Sequence, residues 1–271
     1  MDSRISRMSL MHTWHWQTWN DLPYLTCSLL EPWQHGFFTQ QFSPRSPFEL
    51  TEVLDPTAEV YRVHQVHGNV VLSPSELENP HEHSVQRSSR ENFSQADGLM
   101  TERSQQAVWA CSADCTPALI GDVETGNVAA VHAGWRGTAQ KIVPVAIEKL
   151  RSQGSRLEDL RIALGPAISG EVYQVSHQVA LEVGATIEPS PDVEKLISLP
   201  NSPILRDSTA GRSRLDVRRV IAIQLEQMGI TAEQIAIAPH CTYQDPTNFF
   251  SYRREKLKKV QWSGIVSRNL V

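Results

Sequence analysis

The sequence predicts one mixed α+β domain over residues 1–271, on three observations. Short apolar runs are bounded by polar or glycine residues, two longer stretches carry apolar residues at helical spacing, and the two kinds follow one another without regular alternation. A doubly wound parallel sheet is therefore not compelled. Taken in order, Trp14, Trp16 and Trp19 begin in the period-two alternation of a strand that carries aromatic side chains on one face. Residues 73–95 hold Ser, Glu, His, Asn, Arg and Pro with few large apolar groups, and read as an exposed loop or lid. Ala107 to Cys111 and Val128 to Val131 are apolar runs of the length of buried strands. From Thr138 to Gln153, Ile142, Val143, Ala146, Ile147 and Leu150 mark one face of a helix, and Gly154 is placed to end it. Pro144 fits such a helix only in its first turn, where its missing N–H has no partner to lose. Arg161 to Leu164 reads as a further strand stopped by Gly165 and Pro166. Asp216 to Met228 is a second helix, with Val217, Val220, Ile221, Leu225 and Met228 on one stripe and Gly229 as its stop. Ile235 to Ala238 makes a last strand before Pro239, and no internal repeat is visible.

A formal charge of -5 creates no overall basic field of the kind that attracts nucleic acid or an anionic membrane, so small molecules are the expected partners. No run approaches the roughly 20 apolar residues needed to span a bilayer. The stretch from Met1 through Trp19 lacks the apolar core of a signal peptide. Four cysteines, at 27, 111, 115 and 241, are too few for the disulfide framework of a small secreted domain, so a reducing cytoplasmic setting is expected.

Three segments place metal-capable side chains at the ends of apolar strands beside Gly or Pro: His64-Gln65-Val66-His67-Gly68, Ser112 to Pro117, and Val131 to Gly137. Imidazole and thiolate suit a borderline-soft ion such as zinc, and three protein ligands leave a fourth position for water or substrate. His67, Cys115 and His132 form one such triple among the many that ten histidines and four cysteines allow. Each has a plainer counterpart. Cys111 follows Val-Trp-Ala and reads as a small buried residue, Cys27 as structural, and His81 and His83 as solvated. Cys241, after His240, closes the core or joins a site, while His64 is a ligand, a proton carrier or a polar strand end. Phe249 to Arg254 is an aromatic anchor with two surface cations, or an anion-binding edge.

Taken together, His64 to Gly68 (HQVHG), Ala96 to Thr101 (ADGLMT), Ala113 to Pro117 (ADCTP) and His132 to Thr138 (HAGWRGT) resemble the laccase-domain purine nucleoside phosphorylases. These were earlier named multicopper polyphenol oxidases, and the family includes the peptidoglycan editing factor. Gly165 to Ile168, Tyr173 to Val175, Cys241-Thr242 and Phe250 to Glu255 (FSYRRE) extend the resemblance over about residues 60–255. It implies a metal held by His67, Cys115 and His132, with zinc ahead of copper, and phosphorolysis of adenosine, inosine and methylthioadenosine with deamination of adenosine. The implied fold is an α+β sandwich of mixed β-sheets flanked by helices, of the cytotoxic-necrotizing-factor-like cysteine hydrolase type. Cys115, His132, Arg136 and His64 are the expected catalytic group, with Arg136 contacting substrate or phosphate. His64 and Asp114 are the candidate acid-base groups. The resemblance has departures: Thr39-Gln40-Gln41-Phe42 stands where the family carries Thr-Arg and paired glycines, Glu171-Val172-Tyr173 stands for Cys-Cys-Tyr, and the Gly-Arg after FSYRR is replaced near Gln261-Trp262. Three rival readings remain: a thiol hydrolase with Cys115 as nucleophile and His132 as base, acting on a peptidoglycan precursor; copper-dependent phenol oxidation; and a binding module without catalysis. The copper reading needs many more His ligands than these loops offer.

Overall fold

In the computed structural model, which describes residues 12–78 and 93–269, two six-stranded mixed sheets lie face to face. The first sheet contains β1 (Trp14–Trp19), β2 (Leu22–Cys27), β3 (His35–Phe38), β4 (Glu59–Tyr61), β7 (Gln106–Ser112) and β15 (Gln261–Val266), in the order β1-β2-β3-β15-β7-β4. The second contains β5 (Val71–Leu72), β6 (Gly98–Met100), β8 (Thr116–Asp122), β9 (Val128–Ala133), β10 (Leu160–Leu164) and β14 (Ile235–Ile237), in the order β14-β10-β8-β9-β6-β5. Alternation along the strands decides which side chains meet. Val108 and Ala110 of β7 point between the sheets, against Val128 and Ala130 of β9 and Leu119 of β8. Ala107 and Trp109 point outward, where Leu50 and Leu54 of helix α1 (Pro47–Leu54) cover them.

The outer face of the second sheet is covered more heavily. Ala129, Val131, Ile120 and Ile162 pack under Ile142, Val143, Ala146 and Ile147 of α3 (Ile142–Ser152) and under Val220, Ile221 and Leu225 of α6 (Val217–Met228). A small sheet of β11 (Gln174–Ser176), β12 (Ile204–Arg206) and β13 (Arg212–Leu215), with α4 (His177–Gly184) and α5 (Val193–Ser198), extends this layer. Asp216 caps α6 by accepting from the Arg219 amide, and Gly229 ends it at φ 97°, a left-handed conformation that glycine adopts without a Cβ clash. No helix among the described residues is long and apolar enough to cross a membrane.

Three expectations change in detail. The helix read over Thr138 to Gln153 is two: α2 (Trp135–Ala139), then α3, with Lys141 between them at φ 56°. The reason is Pro144, which falls on the third residue of α3, so the helix has to restart just before it. The tryptophans do not share a face. Trp14 packs on Phe37 and Trp16 on Phe249, whereas Trp19, of opposite parity, stacks near Phe42 on the outer side. Nor are residues 73–95 uniformly exposed: Ser73 and Glu76 form a capping box around a 3-10 turn at Pro74–Glu76, and Leu77, Phe93 and Ser94 are buried. Residues 79–92, with His81 and His83, lie outside the described residues.

Candidate metal centre

Four neighbouring strands of the second sheet bring the site together at one end of the sandwich. In the β8–β9 hairpin Thr116 pairs with Ala133 and Pro117 with His132, so Cys115 lies just before β8 at the end where His132 closes β9. Gly98 pairs with Val131, and the His132 amide donates to the Asp97 carbonyl at 2.7 Å, which sets Asp97 beside His132. Val71 pairs with Gly98, so the loop before β5 delivers His67 to the same end. Sequence-distant residues thus meet because their strands are neighbours. The ligand atoms of His67, Cys115 and His132 all lie within 4.8 Å of one another. The two imidazole rings stand 4.8 Å apart at 88°.

Asp97 holds this arrangement and was not singled out by sequence. Its side chain is fully buried, and Oδ1 pairs with His132 Nδ1 at 2.8 Å. It also accepts from the backbone amides of Val66 (3.1 Å), His67 (2.9 Å) and Gly68 (2.7 Å). Those bonds hold His67 at φ 64°, a strained conformation for a residue with a Cβ. A carboxylate on Nδ1 leaves Nε2 of His132 free to bind a metal, the usual way a ligating histidine is oriented. Burial disfavours charge on Asp97, but the His132 hydrogen bond and the amides of Gly68 and His67 outweigh it and hold the carboxyl below its usual range.

Burial also opposes ionisation of Cys115, yet the charge of His132, with hydrogen bonds from His132 and His67, brings the thiol down to about 6. His132 responds in kind: burial lowers its proton affinity, while the Cys115 thiolate and Asp97 raise it to about 9. Two glycines give the segment its room. A Cβ on Gly134 would stand 3.0 Å from Cys115 Sγ and 3.3 Å from His67 Cδ2, and one on Gly137 would stand 2.9 Å from the Gly68 carbonyl. Two imidazoles and a thiolate, an oriented second nitrogen and a wall with no Cβ in it fit a tetrahedral ion such as zinc.

Above the triple lies a cavity of about 620 Å³. His64 lines it but stands outside the metal-capable group. Gln65 binds the loop to β7 by exchanging two 2.7 Å hydrogen bonds with the Cys111 backbone. Arg136 lines the cavity with its guanidinium 4.5 Å over the Trp135 ring. Asp114 is less suited to proton transfer than its position suggests. Its two oxygens accept from Thr242 Oγ1 and the Arg253 amide, both at 2.7 Å, and hold Asp114 at φ 86°. Cys111 is half-buried and lines the cavity rather than the core. Cys27 and Cys241 are buried, and Cys241 Sγ accepts from the Ser169 amide. Burial, with Cys115 next, pushes the Tyr173 hydroxyl up to about 12, so it stays protonated at neutral pH and can donate a hydrogen bond at the cavity wall. In Phe249 to Arg254 the two arginines divide: Arg254 binds the Thr242 and Phe249 carbonyls, and Arg253 faces the cavity.

A family model described as multi-copper polyphenol oxidoreductase laccase matches residues 48–266. A purine nucleoside phosphorylase of Synechocystis sp. is 49% identical over 261 residues, covering 94% of this chain and 97% of that one. An adenosine deaminase from an unknown prokaryotic organism is 29% identical over 158 residues, covering 58% of this chain and 56% of its own. The crystal structure of YlmD from Geobacillus stearothermophilus superposes with a TM-score of 0.77 at 23% identity, covering 95% of this chain and 100% of that one, which shows a common fold.

Proposed function

This chain belongs to the multi-copper polyphenol oxidoreductase laccase family and is an enzyme, and on that premise we propose that it is a zinc-dependent purine nucleoside phosphorylase. Its substrates are adenosine, inosine and methylthioadenosine, with a weaker deaminase activity on adenosine, in keeping with the names of the two relatives. The observation that carries this reading is the convergence of His67, Cys115 and His132 at the floor of a cavity of about 620 Å³, a size suited to a small organic ligand. Zinc, rather than copper, suits the three ligands, and when bound it supplies a Lewis acid next to the substrate. Among the described residues there is one such group of three, too few for multicopper chemistry.

The remaining work falls to side chains of the wall. Phosphorolysis brings a phosphate dianion to the anomeric carbon, and Arg136 holds it through charge-assisted hydrogen bonds. Tyr173, protonated at neutral pH, donates a hydrogen bond beside Cys115. His64 carries the proton to the leaving group, the purine in phosphorolysis or ammonia in deamination. The chain works as a single domain in a reducing cytoplasm, in line with four cysteines of which none is disulfide-bonded.

The lowered thiol of Cys115 beside a raised His132 favours one rival, a cysteine-type hydrolase acting on a peptidoglycan precursor. Zinc content and products separate the two. Metal-replete protein given adenosine and phosphate should release adenine and a smaller amount of inosine, and Ala at His67, Cys115 or His132 should each remove most of the zinc and the activity. Full activity in demonstrably metal-free protein, or neither product over hours at micromolar enzyme, overturns the phosphorylase reading.

A further inference from the structure

Arg253 is anchored at its backbone and left open at its head. Its amide donates to Asp114 at 2.7 Å, and one guanidinium nitrogen donates to the Gln174 carbonyl at 3.0 Å. The head lies 4.9 Å over the Tyr173 ring and lines the cavity, and its other N–H groups bond to none of the described residues. The next residue takes the opposite part. Arg254 donates to the Thr242, Tyr243 and Phe249 carbonyls and pairs with Glu255, so it ties down the short helix Tyr252–Glu255. Arg136 is open as Arg253 is, with its guanidinium 4.5 Å over the Trp135 ring. None of the ion pairs among the described residues uses either arginine. Besides burial, the Tyr173 hydroxyl feels Cys115, Arg253, Asp114 and Arg136, so both cations and a metal ligand converge on one part of the cavity.

Asp114 sets Arg253 at a fixed place relative to the metal ligands. It directly precedes Cys115, is buried, and commits its two oxygens to Thr242 Oγ1 and the Arg253 amide, both at 2.7 Å. Its own carbonyl accepts the Ile168 amide. At φ 86° it holds a backbone conformation that is strained for a residue with a Cβ, and these bonds keep it there. Thr242 in turn gives its carbonyl to Arg254. One carboxylate thus joins the chain end that carries Cys115 to the short helix that carries Arg253. Any drift of Arg253 away from Cys115 has to break a short hydrogen bond to a buried group.

Resting on the phosphorylase reading above, we propose that Arg253 is a second binding residue for the attacking phosphate, alongside Arg136, and that Asp114 is the positioning residue that keeps it in register with the metal centre. Hydrogen phosphate is a dianion, and the planar fork of a guanidinium matches its oxygens in pairs. Two arginines hold it through separate oxygens and leave one directed at the sugar. That oxygen bonds to the anomeric carbon as the glycosidic C–N bond breaks. The bond's electron pair goes to the purine nitrogen, and the proton of hydrogen phosphate ends on the released base through His64. Register matters here because a misplacement of about 1 Å between reacting groups costs on the order of a hundredfold in rate.

The test uses the zinc-loaded full chain with inorganic phosphate as the probe, read by titration calorimetry and by the KM for phosphate at saturating inosine. Arg253→Gln should raise both the Kd and the KM for phosphate about ten- to a hundredfold, and leave the KM for inosine and the zinc content nearly as they are. Arg253→Lys, which keeps the charge and loses the fork, should recover part of that loss. Asp114→Gly keeps the positive φ and removes both acceptors, so it should raise the KM for phosphate in the same range and lower kcat. Asp114→Asn should recover most of this, because its oxygen can take the Arg253 amide while its NH2 donates to the Thr242 hydroxyl. An unchanged phosphate KM in Arg253→Gln, or an equal rise in the KM for inosine, overturns the role of Arg253. Asp114→Asn as damaging as Asp114→Gly overturns the positioning role and makes the carboxylate a proton carrier, and loss of zinc from Asp114→Gly overturns it in favour of a role in the metal loop. Phosphate-dependent turnover with an unchanged phosphate KM in both Arg253→Gln and Asp114→Gly overturns this inference and leaves the phosphorylase reading standing; turnover in the wild type that does not respond to phosphate overturns both.

Discussion

Asparagine in place of Asp97 keeps the shape of the side chain and removes half of what it accepts. In the native site one oxygen takes His132 Nδ1 and the His67 amide, and the other takes the amides of Val66 and Gly68. The single oxygen of Asn can serve one pair only. If it serves His132 and His67, the amide nitrogen meets the Val66 and Gly68 donors head on; if it serves Val66 and Gly68, it leaves the His67 amide unpaired. In that second arrangement His132 Nδ1 also faces a donor, and the ring has to shift its proton to Nε2, the nitrogen needed by the metal. The first arrangement strands two partly buried donors, and the second strands the His67 amide and fixes the wrong tautomer, at about 1–3 kcal/mol for each stranded donor. The metal-free variant is therefore expected to lose about 1–6 kcal/mol, or on the order of 3–20 °C in Tm for a chain of this size. Zinc affinity should fall a further ten- to a hundredfold, the usual effect of removing a partner behind a ligand. Thermal melts of the apo protein and zinc competition against a chromophoric chelator measure the two separately. An Asp97→Asn protein that melts within a degree or two of wild type and competes equally well for zinc refutes the reasoning.

Zinc uptake should depend on pH through the Cys115–His132 pair. Burial opposes the thiolate, but the histidine's charge brings Cys115 to about 6, and the thiolate and Asp97 raise His132 against its own burial to about 9. Between those values the pair holds one proton that zinc displaces, so affinity should rise about tenfold per pH unit from 6 to 9 and level off above. Calorimetry in buffers of different ionisation enthalpy counts that proton, and a flat profile contradicts the assignment. A second titration concerns stability. His35 is buried, pairs through Nδ1 with the Trp33 carbonyl and accepts the Cys27 amide on Nε2, so its ring is held neutral and burial depresses its proton affinity below the ordinary 6.5. The unfolded chain takes up that proton first, so the stabilisation is complete above pH 6.5 and is lost as pH falls below it. The gap in Tm between wild type and His35→Gln should narrow from pH 7.5 to pH 5; a constant gap rules this out.

The fold was legible where local periodicity decides it. The strands at Ala107 to Cys111, Val128 to Val131 and Arg161 to Leu164, and the helix after Asp216, lie within a residue or two of their expected bounds, because each buries one continuous run against a neighbour. Short strands such as Glu59–Tyr61, Val71–Leu72 and Gly98–Met100 exist through pairing with distant partners, and two or three residues carry no period to read. The site shows the same divide. His67, Cys115 and His132, far apart in sequence, bring their ligand atoms within 4.8 Å of one another. Asp97 was hidden because its importance lies in four hydrogen bonds that depend on the order of β9, β6 and β5 in the sheet, and an Asp-Gly step before a strand looks like a turn.

That hidden residue also bears on which chemistry the site serves. A thiolate next to a histidine oriented by a buried carboxylate is equally the start of a nucleophilic pair or half of a metal centre, so Cys115, His132 and Asp97 alone do not choose. His67 does. It is exposed, held in a left-handed conformation by three bonds from its own loop to Asp97, and turned so that its ring faces both other ligands. A residue with a Cβ at φ 64° costs on the order of 1–3 kcal/mol, which a two-residue nucleophile would gain nothing by carrying. The Cβ-free wall at Gly134, set between Cys115 Sγ and His67, points the same way, since it keeps clear the space where these two donors approach one another. A nucleophilic cysteine needs room on the substrate side; room between a thiolate and a second imidazole is what an ion shared by them requires.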